Sequence, residues 1–235
     1  MEKNLKTALQ KAYDLMYRQF GYQDWWPGDT DFEICIGAIL TQNTAWSNVE
    51  KAIENLKRQG ALDPYVIHKM PISELANLIR PAGYFNIKAK RVKNFVNVLV
   101  EKYNGSIALL LEGTRDTVRK RLLAINGIGK ETADSMMLYA GQHLSFVVDA
   151  YTKRIFSRHN WCRPDAEYDE IKALCENSLN KDVSKNLLNY WRDYHAQLVM
   201  VGKNYCRKSN PKCECCPLNP LLTDVNVGQL KNKKL

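Results

Sequence analysis

Apolar residues recur at three- and four-residue spacing along almost the whole chain, and the runs are separated by only a few residues. That spacing lines one face of a helix, whereas a strand would need alternation. It predicts helices over Phe32–Leu40, Val49–Leu56, 72–79, 86–103, 114–125, 130–140, 150–159, 166–178 and 184–204, with stops at Gly60 and Gly105. Thr30 and Glu33 stand at the spacing of a capping box before the first of these. Only Leu144–Val148 reads as strand-like, and it is short. Helices joined this closely bury their apolar stripes against one another, so the expected fold class is all-α.

At 235 residues and 45% apolar content the chain can build one large domain or two modest ones. Its 34 Lys and Arg against 25 Asp and Glu leave a net charge of +9, the kind of excess a phosphate-binding surface requires. The first residues are amphipathic rather than signal-like, and no apolar run is long enough to span a bilayer, so a soluble, cytoplasmic protein with no membrane partner is expected. Lys231, Lys233 and Lys234 read as a solvated basic tail. In a reducing compartment the 7 cysteines are not expected to form a disulfide framework. Cys35, Cys162 and Cys175 are scattered through helical patterns, whereas Cys206, Cys213, Cys215 and Cys216 crowd together.

Between Leu122 and Ala133 a pair of glycines, Gly127 and Gly129, separates one helical pattern from the next. Such a turn allows close backbone approach to a ligand, and the amides opening the next helix suit a phosphate oxygen. Lys130 adds a positive charge there. A glycine C-cap between two helices would look the same locally.

The segment resembles the helix-hairpin-helix motif of the endonuclease III superfamily of DNA glycosylases. The resemblance continues through Leu40-Thr-Gln-Asn-Thr44, Gly83-Tyr-Phe-Asn-Ile-Lys-Ala-Lys90 and Val147-Val-Asp149, in order over nearly the whole chain. It is closest to the superfamily's 3-methyladenine glycosylase branch, through Trp25-Trp-Pro27, Ile39-Leu-Thr-Gln-Asn-Thr44, Arg80-Pro-Ala-Gly-Tyr-Phe-Asn86 and Gly127-Ile-Gly-Lys-Glu131.

Breaking an N-glycosidic bond builds positive charge on the sugar, which a fixed anion stabilises while water is aimed at the sugar carbon. Asp149 precedes a helical pattern and alone reads as an N-cap; the resemblance makes it the catalytic aspartate. Bifunctional relatives carry a lysine after the hairpin that forms a Schiff base, and Glu131 stands at that position here. A carboxylate forms no imine, so base removal without strand cleavage is expected. Lys130, one residue away, would point elsewhere, because a helical step turns a side chain by about 100°.

An enzyme of this kind extrudes its target nucleotide and fills the gap. The resemblance gives Gln42 the filling role, with a polar loop cap as the alternative. Trp25, Trp26 and Trp46 are candidates to stack on the base, since a cationic alkylated purine over an indole gains roughly 0.5–2 kcal/mol; core packing is the other fate of such residues. Glu131 falls at the same pocket by the resemblance. Lys88, Lys90 and Arg91 could touch phosphate or form a solvated helix face.

Cys206, Cys213 and Cys216 match the first three ligands of the family's iron-sulfur loop, and the fourth position holds Leu222. A [4Fe-4S] cluster with an unusual fourth ligand is expected, with zinc on all four thiols including Cys215, or no metal, as alternatives. Its role would be to hold a loop bearing Arg207, Lys208 and Lys212 against DNA.

The expected architecture is a helical domain over 23–143 and a second built from 1–22 and 144–235, with a cleft between them. The expected function is excision of alkylated purines, 3-methyladenine above all, from damaged double-stranded DNA by a monomer. A glycosylase for mismatched thymine or uracil or oxidised pyrimidines is the second enzyme reading. A DNA-binding module using the hairpin alone is the non-enzymatic one, and it would have no use for Asp149.

Overall fold

A computed structural model describes residues 2–180 and 186–222. The α-helices in order are α1 (Glu2–Phe20), α2 (Asp31–Leu40), α3 (Trp46–Arg58), α4 (Pro64–Lys69), α5 (Ile72–Leu78), α6 (Phe85–Tyr103), α7 (Ile107–Leu110), α8 (Arg115–Leu123), α9 (Lys130–Ser135), α10 (Ala150–Arg158), α11 (Tyr168–Ser178) and α12 (Leu187–Asn204). Short 3-10 turns at Arg80–Ala82, Cys213–Cys215 and Asn219–Leu221 and a π turn at Met136–Ala140 complete them. The fold is all-α, and no strand occurs among the described residues. No helix is long and apolar enough to cross a membrane among those residues.

Leu144–Val148 is therefore not a strand. Side chains satisfy its backbone instead: Lys172 Nζ donates to Phe146 O at 3.1 Å, Phe146 N donates to Glu176 Oε1 at 3.0 Å, and Val148 N donates to the Tyr168 hydroxyl at 3.4 Å. The capping box at Thr30 is half formed. Thr30 Oγ1 accepts from Glu33 N at 3.1 Å, but the Glu33 carboxylate accepts from Asp29 N and pairs with Lys57 at 2.8 Å. The helix expected over 130–140 runs as α9 and then widens into the π turn. The expected start at 184 and the basic tail at Lys231, Lys233 and Lys234 lie outside the described residues.

The chain divides into two compact units, Trp26–Ser145 and Met1–Trp25 with Phe146–Leu235. The Trp26–Ser145 unit forms around α2, whose residues Phe32 to Leu40 are all buried. A helix apolar on every side is stable only when surrounded. α3 and α6 supply Val49, Leu56, Val92, Phe95 and Leu99 to the same core. Asp134 of α9 is wholly buried and receives Arg119 Nε at 2.9 Å and Nη2 at 3.1 Å from α8, with Ser145 Oγ donating at 2.7 Å. This pair fastens the two helices that flank the glycine turn.

In the other unit α12 is the central element. Tyr194 is buried and donates to Leu9 O of α1 at 2.9 Å, and Tyr13 of α1 donates to Asp193 Oδ2 at 2.7 Å. Gly202 lets α12 lie close to α10, since a Cβ there would collide with the Tyr151 ring and its Cβ.

Candidate functional site

The glycine turn occupies residues 124–129, between α8 and α9. Its two glycines are needed for different reasons. Gly127 has φ +96°, and a Cβ on it would collide with the Arg91 side chain, so the fold itself excludes a substituent. Gly129 has φ −91°, and a Cβ on it would meet nothing within 4 Å. Among the described residues nothing asks for glycine there, which is what close approach of an outside ligand would require. Gly129 caps α9, so the opening amides of that helix start at an exposed residue, beside the exposed Lys130 and Glu131.

Gln42, in the turn between α2 and α3, lies against this hairpin. Its Nε2 donates to Thr132 Oγ1 at 2.9 Å and to Gly127 O at 3.3 Å, and Arg91 Nη1 donates to its Oε1. The turn starts where Thr41 Oγ1 bonds back to Gly37 O at 2.6 Å, and it reverses at Asn43 with φ 55°.

Lys90 is exposed on α6, as a phosphate contact requires, but Lys88 is not. It is 1% exposed, and its Nζ donates to Ala82 O at 2.7 Å and Leu40 O at 2.9 Å. Burial lowers its pKa to about 8. The lysine ties the ends of two short elements together and is corrected from a DNA contact to an internal strut.

Trp26 and Trp46 meet edge to face with centroids 5.1 Å apart, and Tyr139 of the π turn lies 5.1 Å from Trp26. Gly37 of α2 faces both indoles, and a Cβ there would sit 3.4 Å from each, in ordinary contact. Sequence spacing did not point to Tyr139, because it reaches this corner by tertiary packing. Trp25 belongs to the other unit, where Lys203 Nζ stands 5.6 Å from its ring centroid.

Asp149 is the N-cap of α10, with Thr152 N donating to its Oδ1 at 2.7 Å. This bond fixes the rotamer and leaves Oδ2, which lies 3.8 Å from Nε2 of His195 on α12. The carboxylate side chain is 12% exposed and the imidazole 6%. Burial depresses the His195 pKa, partly opposed by the Asp149 charge, so the imidazole is biased toward its neutral form. His195 was not a candidate from sequence, since a lone histidine in a helical pattern carries no signal of what it faces.

Of the four clustered cysteines, Cys206, Cys213 and Cys216 line one small pocket together with Arg158, His159 and Leu222. Cys215 is exposed and not in that lining; its thiol lies 3.6 Å from Lys212 O. No three Cys, His, Asp or Glu side chains converge to hold a single metal ion among the described residues. Three thiols around a pocket fit a cluster, whose ligands each bind a different iron, with a non-thiol group left to complete the set.

The family model described as HhH-GPD superfamily base excision DNA repair protein matches residues 36–181. A putative DNA repair glycosylase of Methanocaldococcus jannaschii is 46% identical over 93% of this chain and 97% of its own length. Endonuclease III of Thermotoga maritima is 29% identical over 80% of this chain and 81% of its own. Among solved structures, H. pylori 3-methyladenine DNA glycosylase bound to 1,N6-ethenoadenine superposes with a TM-score of 0.73 at 27% identity, covering 85% of this chain and 97% of that one. A non-covalent endonuclease III–DNA complex reaches 0.79 at 23% identity, covering 96% and 98%, a likeness of fold.

Proposed function

The chain belongs to the HhH-GPD superfamily of base excision DNA repair proteins and is an endonuclease III-like DNA glycosylase, and from that premise we propose that it removes alkylated purines, 3-methyladenine foremost, from duplex DNA without cutting the strand. The observation that carries this reading is the state of Asp149: one oxygen is spent on the α10 cap and the other is held at a fixed place in a nearly dry setting. A preorganised anion of that kind stabilises the cationic sugar of the transition state. The glycosidic electron pair leaves with the base, a water oxygen bonds to the sugar carbon, and the carboxylate takes the water's proton. Alkylation makes the purine cationic, so it departs as a neutral molecule and needs little acid assistance.

For base selection, Trp26 and Trp46 would offer indole faces to an electron-poor purine, with buried Tyr139 backing Trp26. The 27% identity to an H. pylori enzyme named for 3-methyladenine points the same way. Gly127, Gly129 and Lys130 would grip the DNA backbone, Lys90 would add a phosphate contact, and Gln42 would fill the space the base vacates. Glu131, where bifunctional relatives carry their lysine, leaves no amine for a Schiff base. Cys206, Cys213 and Cys216 would hold an iron-sulfur cluster whose contribution is to fix the loop carrying Arg207, Lys208 and Lys212.

The test is incubation of purified protein with methylated duplex DNA, followed by chromatography of the released bases and gel analysis of the strand. Release of 3-methyladenine is expected, with strands intact until alkali cleaves the abasic sites. Asp149→Asn keeps an acceptor for Thr152 N, so it should bind DNA yet lose release by at least two orders of magnitude. Thymine or uracil released from mismatches in place of methylated purines would overturn the substrate, and nicking before alkali would overturn the monofunctional reading.

A further inference from the structure

We propose that His159 is the fourth ligand of an iron-sulfur cluster whose other three ligands are Cys206, Cys213 and Cys216. This rests on the reading of the cysteine loop given above and names the one donor that reading lacks. The family resemblance puts the fourth ligand position at Leu222, whose side chain has no donor atom. His159 stands beside that position. It follows the last residue of α10, and its Nδ1 lies 3.4 Å from the carbonyl oxygen of Leu221. It lines the same pocket as the three thiols and Leu222.

The end of α10 is also fastened to the start of the loop. Arg154 Nε donates to Cys206 O at 2.7 Å, Arg158 Nη1 to Arg207 O at 2.7 Å, and Arg158 Nη2 to Lys208 O at 3.1 Å. The end of α10, which carries His159, is thus tied to the first cysteine's segment, and His159 itself meets the backbone next to Leu222. A longer side chain from a neighbouring helix reaches where the loop itself offers only a leucine.

The contact of Nδ1 with the Leu221 carbonyl is one that a metal-bound histidine commonly makes. An imidazole that donates its Nδ1–H to a backbone carbonyl has its lone pair on Nε2, the usual arrangement of a histidine at a metal site. His159 stacks on Trp161, centroids 4.6 Å apart at 24°, which holds the plane. Imidazole is a competent iron ligand, and histidine replaces cysteine on iron in Rieske clusters, where it raises the potential. Arg158 Nη1 lies 3.3 Å from Cys206 Sγ, a donor placed to offset thiolate charge.

The alternative is that His159 is only a stacked core residue, and metal content separates the two. Full-length protein and its variants would be purified without oxygen, supplied with ferrous iron and sulfide, desalted, and assayed for bound iron, sulfide, zinc and reduction potential. Wild type should retain iron and sulfide in equal amounts. His159→Phe keeps a ring on Trp161 and the fold it supports, yet should lose most of the iron, as Cys216→Ser should. His159→Cys should recover the iron at a lower potential, because a thiolate adds negative charge. A folded His159→Phe with wild-type iron and an unshifted potential would overturn the proposal while leaving the cluster in place. A wild type that takes up no iron, or zinc in its stead, would overturn the proposal and the loop reading together, with base release from methylated DNA judged separately.

Discussion

Asp134 and Arg119 should show a large and asymmetric dependence on each other. The carboxylate is wholly buried, whereas the guanidinium side chain is 21% exposed. Two nitrogens of Arg119 and the Ser145 hydroxyl donate to the carboxylate. Removing one member of a buried pair costs about 3–5 kcal/mol, most of it the penalty on the charge left behind. In Asp134→Leu the stranded group is an arginine that can turn toward water, so the loss should sit near the lower end, about 3 kcal/mol. In Arg119→Met the stranded group is a carboxylate with no route to solvent, so the loss should sit near the upper end, about 5 kcal/mol. The double variant removes both charges of this pair and should lie within about 2 kcal/mol of wild type, since apolar replacements of a buried pair are often neutral. Urea unfolding, read by fluorescence and far-UV circular dichroism, measures all four proteins. In a chain of this size the single variants should melt roughly 6–20 °C lower, at about 2–4 °C per kcal/mol. Additive losses in the double variant, or an Asp134→Leu that costs more than Arg119→Met, would refute the claim that stranded charge sets the scale.

Two further outcomes follow from the site. Gly129→Ala meets open space at an ordinary φ, so its stability should change by about 1 kcal/mol or less while affinity for duplex DNA falls at least several-fold; unchanged affinity in fluorescence anisotropy would remove the close-approach role of that glycine. His195 has a folded pKa below its ordinary 6.5, so the unfolded chain binds its proton first: its share of stability is present above that value and is lost as the pH falls through and below it. His195→Gln should therefore flatten the acid limb of a pH–stability curve, and a limb identical to wild type would show that the imidazole is not held neutral by burial.

What the sequence disclosed depended on how local the determining interactions are. α6 and α12 were legible because each buries a stripe several turns long, and α2 because its apolar run is bounded by a cap at Thr30. α4 and α7 were not, because four to six residues hold too little of a period to stand out; α4 is set by its Asp63 cap, which accepts from Tyr65 N at 2.8 Å, and by Pro64. Asp149 was legible because an N-cap is defined by its immediate neighbours, and the cap is present. Lys88 misled because a lysine is ordinarily solvated, and its two carbonyl acceptors come from the ends of α2 and the Arg80–Ala82 turn, which meet only in the folded unit. Tyr139, His195 and His159 were missed for the same reason: each acquires its meaning from residues far away in sequence.

The three hydrogen bonds that hold Gln42 bear on how such a protein searches. On the role proposed for it, this amide must enter a gap between stacked bases, and it can do so only after leaving Gly127, Thr132 and Arg91. An intact duplex offers nothing in return for those bonds, whereas a weakened pair offers a vacancy to occupy. On that role the probe would rest sheathed on sound DNA, and the lesion would decide when it is unsheathed.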